Sequence, residues 1–200
     1  REVFEGEVAI PFLRIDGGHR ETLVNLPGFS DEKETFLPVA TALRTRFNVI
    51  IPDTVGFGET RRDPHRIHTL DNHTRWVSSL IEHLDCGPVW LMGNSLGGAI
   101  ASSVAVTAPH LVKKCIPVGS AGYVHSESNP LFEEIIAGEN PFLVTDNTGY
   151  RKFIQRLFHE ERRPIPFISA ALRQKMFDER SWYGHIMEQL TLEMDFDVEH

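Results

Sequence analysis

The sequence has little cysteine. Cys86 and Cys115 are the only two in 200 residues, far apart and without a Cys-x-x-Cys pair. That excludes a disulfide framework and a cysteine zinc site, and it fits a reducing compartment. Long hydrophobic runs are missing as well. No stretch approaches the roughly 18 apolar residues of a membrane-spanning helix, so no transmembrane segment is expected. Positive charge is in the minority, with 20 Lys and Arg against 28 Asp and Glu, a formal net charge of −8. Such a surface repels phosphate backbones, and no nucleic-acid partner is expected. A signal peptide is not visible, but the chain opens on Arg1 rather than Met. The start is therefore read as incomplete, with localisation open and a cytoplasmic site favoured by the cysteine usage.

What is present is an alternation of buried strands and helices. "VFEGEVAIPFLRID" (3–16) predicts one or two strands closed by Asp16-Gly17-Gly18. "ETLVNLPGF", "NVIIPD", "PVWLMGN" and "VKKCIPVGSAG" each contain a continuous apolar strand. Helices are expected between them: "SDEKETFLPVATALRTRF", with Asp31 and Glu34 as a capping pair and Pro38 in an early turn; "LDNHTRWVSSLIEHL"; and "SLGGAIASSVAVTA". Strands apolar throughout, alternating with helices, predict an α/β fold: a mostly parallel sheet covered on both faces. After Gly122 the rhythm changes to helical segments alone: "LFEEIIAG", "YRKFIQRLF", "ISAALRQKMF" and "YGHIMEQLTLEM". The expected organisation is a core over 1–124 and an α-helical cap over 125–200. Neither an internal repeat nor a low-complexity tract occurs.

The segment with chemistry in it is "LMGNSLGGAIA" (91–101). Gly-x-Ser-x-Gly between a buried strand and a small-residue helix is the setting of a nucleophile elbow. The turn strains the serine and brings strand and helix so close that Gly93 and Gly97 are required as support. It would expose the Ser95 hydroxyl at the carboxyl end of the sheet, over a helix N-terminus that favours developing negative charge. An acyl-transfer site also needs oxyanion donors, each worth about 3 kcal/mol. The backbone N–H of Leu96 is one candidate. The N–H of Phe29 in "LPGFS" is the other.

"NLPGFSDEKETF", "DTVGFGET" and "GNSLGGAIA" stand in the order and spacing of the α/β-hydrolase superfamily, which the chain resembles throughout its length. The cap stretch resembles that of bacterial lipases and esterases related to monoacylglycerol lipases. One departure is Pro27-Gly28, where the family usually has His-Gly; the backbone donor survives that change. The resemblance implies cleavage of carboxylic esters, with a small-molecule ester or lipid-like substrate, through an acyl-enzyme on Ser95. It implies neither cofactor nor metal. Two alternatives remain open. One is a carbon–carbon bond hydrolase of ring-cleavage diketones, whose family elbow is similar; the other is a non-catalytic hydrolase-like binding module. Families with an aspartate nucleophile, the dehalogenases and epoxide hydrolases, are disfavoured by Ser95.

The family's triad continues with an acid and then a histidine, without which a serine hydroxyl is a weak nucleophile. Downstream lie His110, His125, His159, His185 and His200, and Asp146, Asp178, Asp195 and Asp197. None stands in a strand–loop context; Gly184-His185 reads as a helix start. The expectation is that acid and base lie beyond residue 200, that these 200 residues alone are inactive, and that 112–118 is an unpaired sheet edge. His65, His68 and His73, with Asp63 or Asp71, match no zinc spacing and are read as a solvated loop. Asn72-His73-Thr74 is a formal glycosylation sequon, relevant only in a secretory compartment. Arg151, Lys152, Arg156, Arg162, Arg163, Arg173, Lys175 and Arg180 make the first half of the cap basic. They read as a solvated helical face, with attraction for phosphate or lipid headgroups as the alternative.

Overall fold

A computed structural model describes residues 8–122, 134, 140–157 and 166–193. The described residues up to Gly122 form one compact unit, and those from 134 to 191 a second.

The first unit is built on five strands: β1 (Phe12–Ile15), β2 (Thr22–Leu26), β3 (Asn48–Pro52), β4 (Val89–Asn94) and β5 (Val112–Val118). They pair in the order β1-β3-β2-β4-β5. β2, β3, β4 and β5 run parallel, and β1 pairs with β3 antiparallel. All five residues of β2 are buried, as a strand covered on both faces requires. Helices α1 (Leu37–Leu43), α2 (Leu70–Leu84) and α3 (Leu96–Thr107) supply the cover. Against one face, Leu23, Val49 and Ile51 pack with Ala40, Phe36 and Leu43 around α1. On the other, Leu26 of β2, Leu80 of α2 and Ile100 of α3 border a single small void of about 10 Å³.

α2 follows its hydrophobic period. Thr69 caps it by accepting from the Asn72 N–H, and it ends on Asp85 in a left-handed conformation. The N-terminal half of α3 is sunk into the unit: Leu96 to Ala101 are all buried, as is Val104, hence its small side chains. β5 pairs with β4 alone among the described residues, and four of its seven residues are exposed.

Two expectations need correction. Only 12–15 of the first stretch is strand; 8–11 is irregular although Val8 and Ile10 are buried against Val55, Trp76 and Leu80, and 3–7 falls outside the described residues. The Asp31–Glu34 capping pair does not form. Asp31 accepts from the neighbouring Glu32 N–H instead, and residues Lys33–Phe36 make a 3-10 turn that leads into α1. The cause is Lys33, which is drawn inward as described below; Pro38 does sit at the start of α1.

The second unit contains α4 (Asn147–Leu157), α5 (Pro166–Asp178) and α6 (Arg180–Glu193). Tyr150, Phe153 and Ile154 of α4 pack with Val144 and Met176, and the Tyr150 hydroxyl meets Ser169 Oγ at 3.0 Å. Apart from Glu134, the segment "LFEEIIAG" falls outside the described residues, as does the change of composition near 123–126.

Candidate active site

β4 delivers Gly93 and Asn94, and the chain reverses into α3 at Ser95, whose backbone is at φ 51°, ψ −116°. A non-glycine residue held there costs about 1–3 kcal/mol, so its surroundings must over-determine it. They do. The Ser95 N–H donates to the Val118 carbonyl at 3.0 Å, and the Ser95 carbonyl accepts from Gly98, Ala99 and Ala121 at 2.9–3.1 Å. The end of β5 and the loop after it thus grip the serine backbone from both sides.

The glycines fit the same purpose. A Cβ on Gly93 would stand 2.0 Å from the Gly97 carbonyl oxygen. One on Gly97 would be 2.3 Å from the Leu26 oxygen and 2.6 Å from that of Pro27. α3 therefore begins directly against the backbone that leaves β2. Across that contact, a Cβ on Gly28 would meet Asn94 and the Ser95 Cβ at 3.3 Å. The structure so brings Gly93, Ser95, Leu96 and Gly97 together with the Pro27-Gly28-Phe29 loop. Leu96 is the first residue of α3, where backbone N–H groups have no acceptor within the helix.

Phe29 is buried, and its ring meets Phe57 edge-on at 5.0 Å. Phe57 belongs to the loop after β3, which Thr54 also ties to the same place by donating to the Pro27 carbonyl at 3.3 Å. The organiser of this loop is Asp53, a residue sequence reasoning gave no role. Its side chain is 1% exposed. It accepts from the Lys33 and Glu59 backbone N–H groups at 3.0 Å each and from Lys33 Nζ at 2.8 Å. Gly58, at φ +57°, must be glycine because a Cβ would lie 2.3 Å from the carboxylate. Burial pulls the Lys33 pKa down, but the hydrogen bonds to Asp53 and Glu34 and the Asp53 charge outweigh it and hold the ammonium above its ordinary value. The available signal was the position of Asp53, a carboxylate directly after a wholly apolar strand.

The histidine-rich stretch is not a solvated loop. His65 is exposed, but His68 and His73 are 0% and 1% exposed. Their rings lie 5.5 Å apart and both meet Trp76 edge-on. His73 belongs to the buried stripe of α2, at the spacing His73, Trp76, Val77, Leu80, Ile81, which the helical period could have revealed. Burial first, and then the neighbouring His68, lower its pKa to about 3. Among the described residues no three His, Cys, Asp or Glu side chains are grouped to hold a metal ion.

Of the histidines downstream of Ser95, two are described. His110 follows α3, whose 12 residues span about 18 Å, so it stands at the opposite end of that helix from Ser95. His185 belongs to the second unit, stacked on Trp182 with Nε2 3.1 Å from Gln189. Gly184-His185 lies in α6, which begins at Arg180, next to the helix start read in "SWYGHIMEQL". Asp146 accepts from the Gly149 N–H at the head of α4, and Asp178 from Gln174. His125, His159, His200, Asp195 and Asp197 lie outside the described residues.

A family model for the alpha/beta hydrolase fold matches residues 21–162. The chain belongs to the α/β hydrolase fold family. Among curated members it is 25% identical over 172 residues to Lipase 1 of Psychrobacter immobilis, covering 86% of this chain and 54% of that protein. It is 39% identical over 75 residues to a 2-hydroxy-6-oxo-2,4-heptadienoate hydrolase of Pseudomonas putida, covering 37% of this chain and 27% of the relative. Among solved hydrolase-fold structures, that of a membrane phospholipase A, described as a bacterial virulence factor, superposes with a TM-score of 0.87. That match, at 24% identity, covers 93% of this chain and 60% of the other and speaks for the fold alone. The chain spans about half the length, or less, of the curated relatives it matches.

Proposed function

We propose that this chain carries the nucleophile half of a serine hydrolase that cleaves carboxylic esters, of lipase or esterase type, through an acyl-enzyme on Ser95. The observation that carries the reading is the strained Ser95 backbone, clamped between β4 and α3 and in contact with the Gly28 loop. Strain of this kind persists where a side chain must be presented rather than buried. The Ser95 Oγ attacks the ester carbonyl, and the N–H groups of Leu96 and Phe29 stabilise the oxyanion, aided by the positive end of α3. Asp53 and Phe57 position the Phe29 loop without touching the substrate. The helical second unit is read as the cap of the enzyme. No described residue of this chain is assigned as the acid or the general base.

The test is covalent labelling of the full-length protein by a fluorophosphonate. Labelling that disappears in Ser95→Ala, with turnover of short p-nitrophenyl esters, is the expected result. An unreactive Ser95 would favour a binding module. The 39% identity to a dienoate hydrolase supports a second reading, carbon–carbon bond cleavage. Turnover of a dienoic diketone in preference to the esters would select it.

A further inference from the structure

The second unit contains a cleft of about 410 Å³ bordered by Lys152, Arg156 and Arg180, with Glu134 at one side and Pro141, Leu143 and Val144 as an apolar wall. Its volume is within the range of small-molecule sites. The three cations come from two elements: Lys152 and Arg156 from one face of α4, Arg180 from the first position of α6. Like charges four residues apart weaken an isolated helix, so their placement on a concave surface has a cost that a ligand would offset. Gly149, one turn before Lys152 on the same face, adds no side chain and keeps the cleft open.

Glu134 answers only part of this charge. It is ion-paired with Arg156. The Arg156 hydrogen bond, with the charges of Arg156 and Lys152, holds its carboxyl below the usual carboxylate range. Asp146, at the head of α4, is engaged with the Gly149 N–H. Among the described residues of the lining, two net positive charges are left. A guanidinium offers five donors, so Arg156 keeps free forks beside its ion pair. This demand is met by a group with nearly two negative charges and three acceptor oxygens, attached to something that fills the remaining space. A phosphate monoester has those properties at neutral pH.

We infer that the cleft between α4 and α6 is a binding site for a phosphate monoester, with Lys152, Arg156 and Arg180 as its ligating cations and Glu134 as the residue that orients Arg156. The same chemistry is offered by a soluble ester and by the headgroup of phosphatidic acid.

Calorimetric titration of the 200-residue chain with inorganic phosphate and glycerol 3-phosphate, at ionic strength held constant with sodium chloride, tests the inference. Saturable binding is expected, weakened about tenfold or more in Lys152→Gln/Arg180→Gln and by a lesser factor in each single variant. Both side chains are exposed, so helical circular dichroism should be unchanged. Ser95→Ala should bind like the parent. Vesicles of phosphatidylcholine with and without phosphatidic acid separate the sources: cosedimentation that requires phosphatidic acid and is lost in the double variant assigns the headgroup, and binding of the soluble esters alone assigns those. No saturable binding of any of the three probes, or equal binding by the double variant, overturns the site.

Discussion

Two buried polar residues illustrate how single side chains decide local structure. Asp53 and Lys33 are both almost fully buried, and the carboxylate also accepts two backbone N–H groups. Removing Asp53 leaves the buried Lys33 ammonium with only the largely exposed carboxylates of Glu34 and Glu59. Asp53→Ala is therefore expected to lower stability by about 3–5 kcal/mol, read from the urea midpoint. Removing Lys33 as well, as Lys33→Met in the same chain, should recover only part, because the Glu59 and Lys33 N–H groups still lack their acceptor. His73 makes a different demand. Unfolded, it titrates at its ordinary 6.5; folded, its pKa is about 3. Between those values the unfolded chain binds the proton and the folded chain does not, so stability falls as pH is lowered from 6.5 toward 3. The groups around it are His68 and Trp76, with the Arg66 guanidinium 5.9 Å over the Trp76 ring. Urea midpoints measured across this window should have a shallower acid slope in His73→Leu. An unchanged slope would assign the acid sensitivity to other groups.

At the scale of elements, close approach of backbones governs. Gly93→Ala places a methyl group 2.0 Å from a carbonyl oxygen in the first turn of α3, and neither backbone can yield without opening the junction. A loss of about 3 kcal/mol or more is expected in urea denaturation. Gly184 is the contrast. It is inside α6, where an added Cβ would make ordinary contact with Leu143 at 3.7 Å. Gly184→Ala should stabilise by about 0.5–1 kcal/mol, the helix preference for alanine. These two glycines also mark what the sequence discloses. The elbow was legible because only glycine fits such distances, and β2, β3 and β4 because strands covered on both faces are rich in consecutive apolar residues. The antiparallel direction of β1 was not legible, since one strand's hydrophobic pattern is silent about its neighbour's direction. Neither was the 3-10 turn at Lys33–Phe36, which depends on a partner 20 residues away in sequence. The pairing of Phe29 with Phe57 joins two loops that only the folded sheet brings together.

For the whole molecule, the decisive matter is what stands beside Ser95. Placement on a strained turn fixes the Ser95 backbone, but it does not remove the serine proton. An imidazole in hydrogen-bond reach does that, and without it the acyl-enzyme cannot form at a useful rate. His110 is at the wrong end of α3, and His68 and His73 are buried around Trp76. Polarising donors alone could still assist direct attack by water, a residual route that does not pass through Ser95. The 200-residue chain and its Ser95→Ala variant are thus expected to hydrolyse p-nitrophenyl butyrate at the same slow rate, within the error of a spectrophotometric assay. Equality would mean that Ser95 has no working base in this chain. A parent rate about tenfold or more above the variant would instead mean that one of these residues already supplies the base, since even one general base contributes about a hundredfold. His125, His159, His185 and His200 would then be replaced by glutamine in turn to find it.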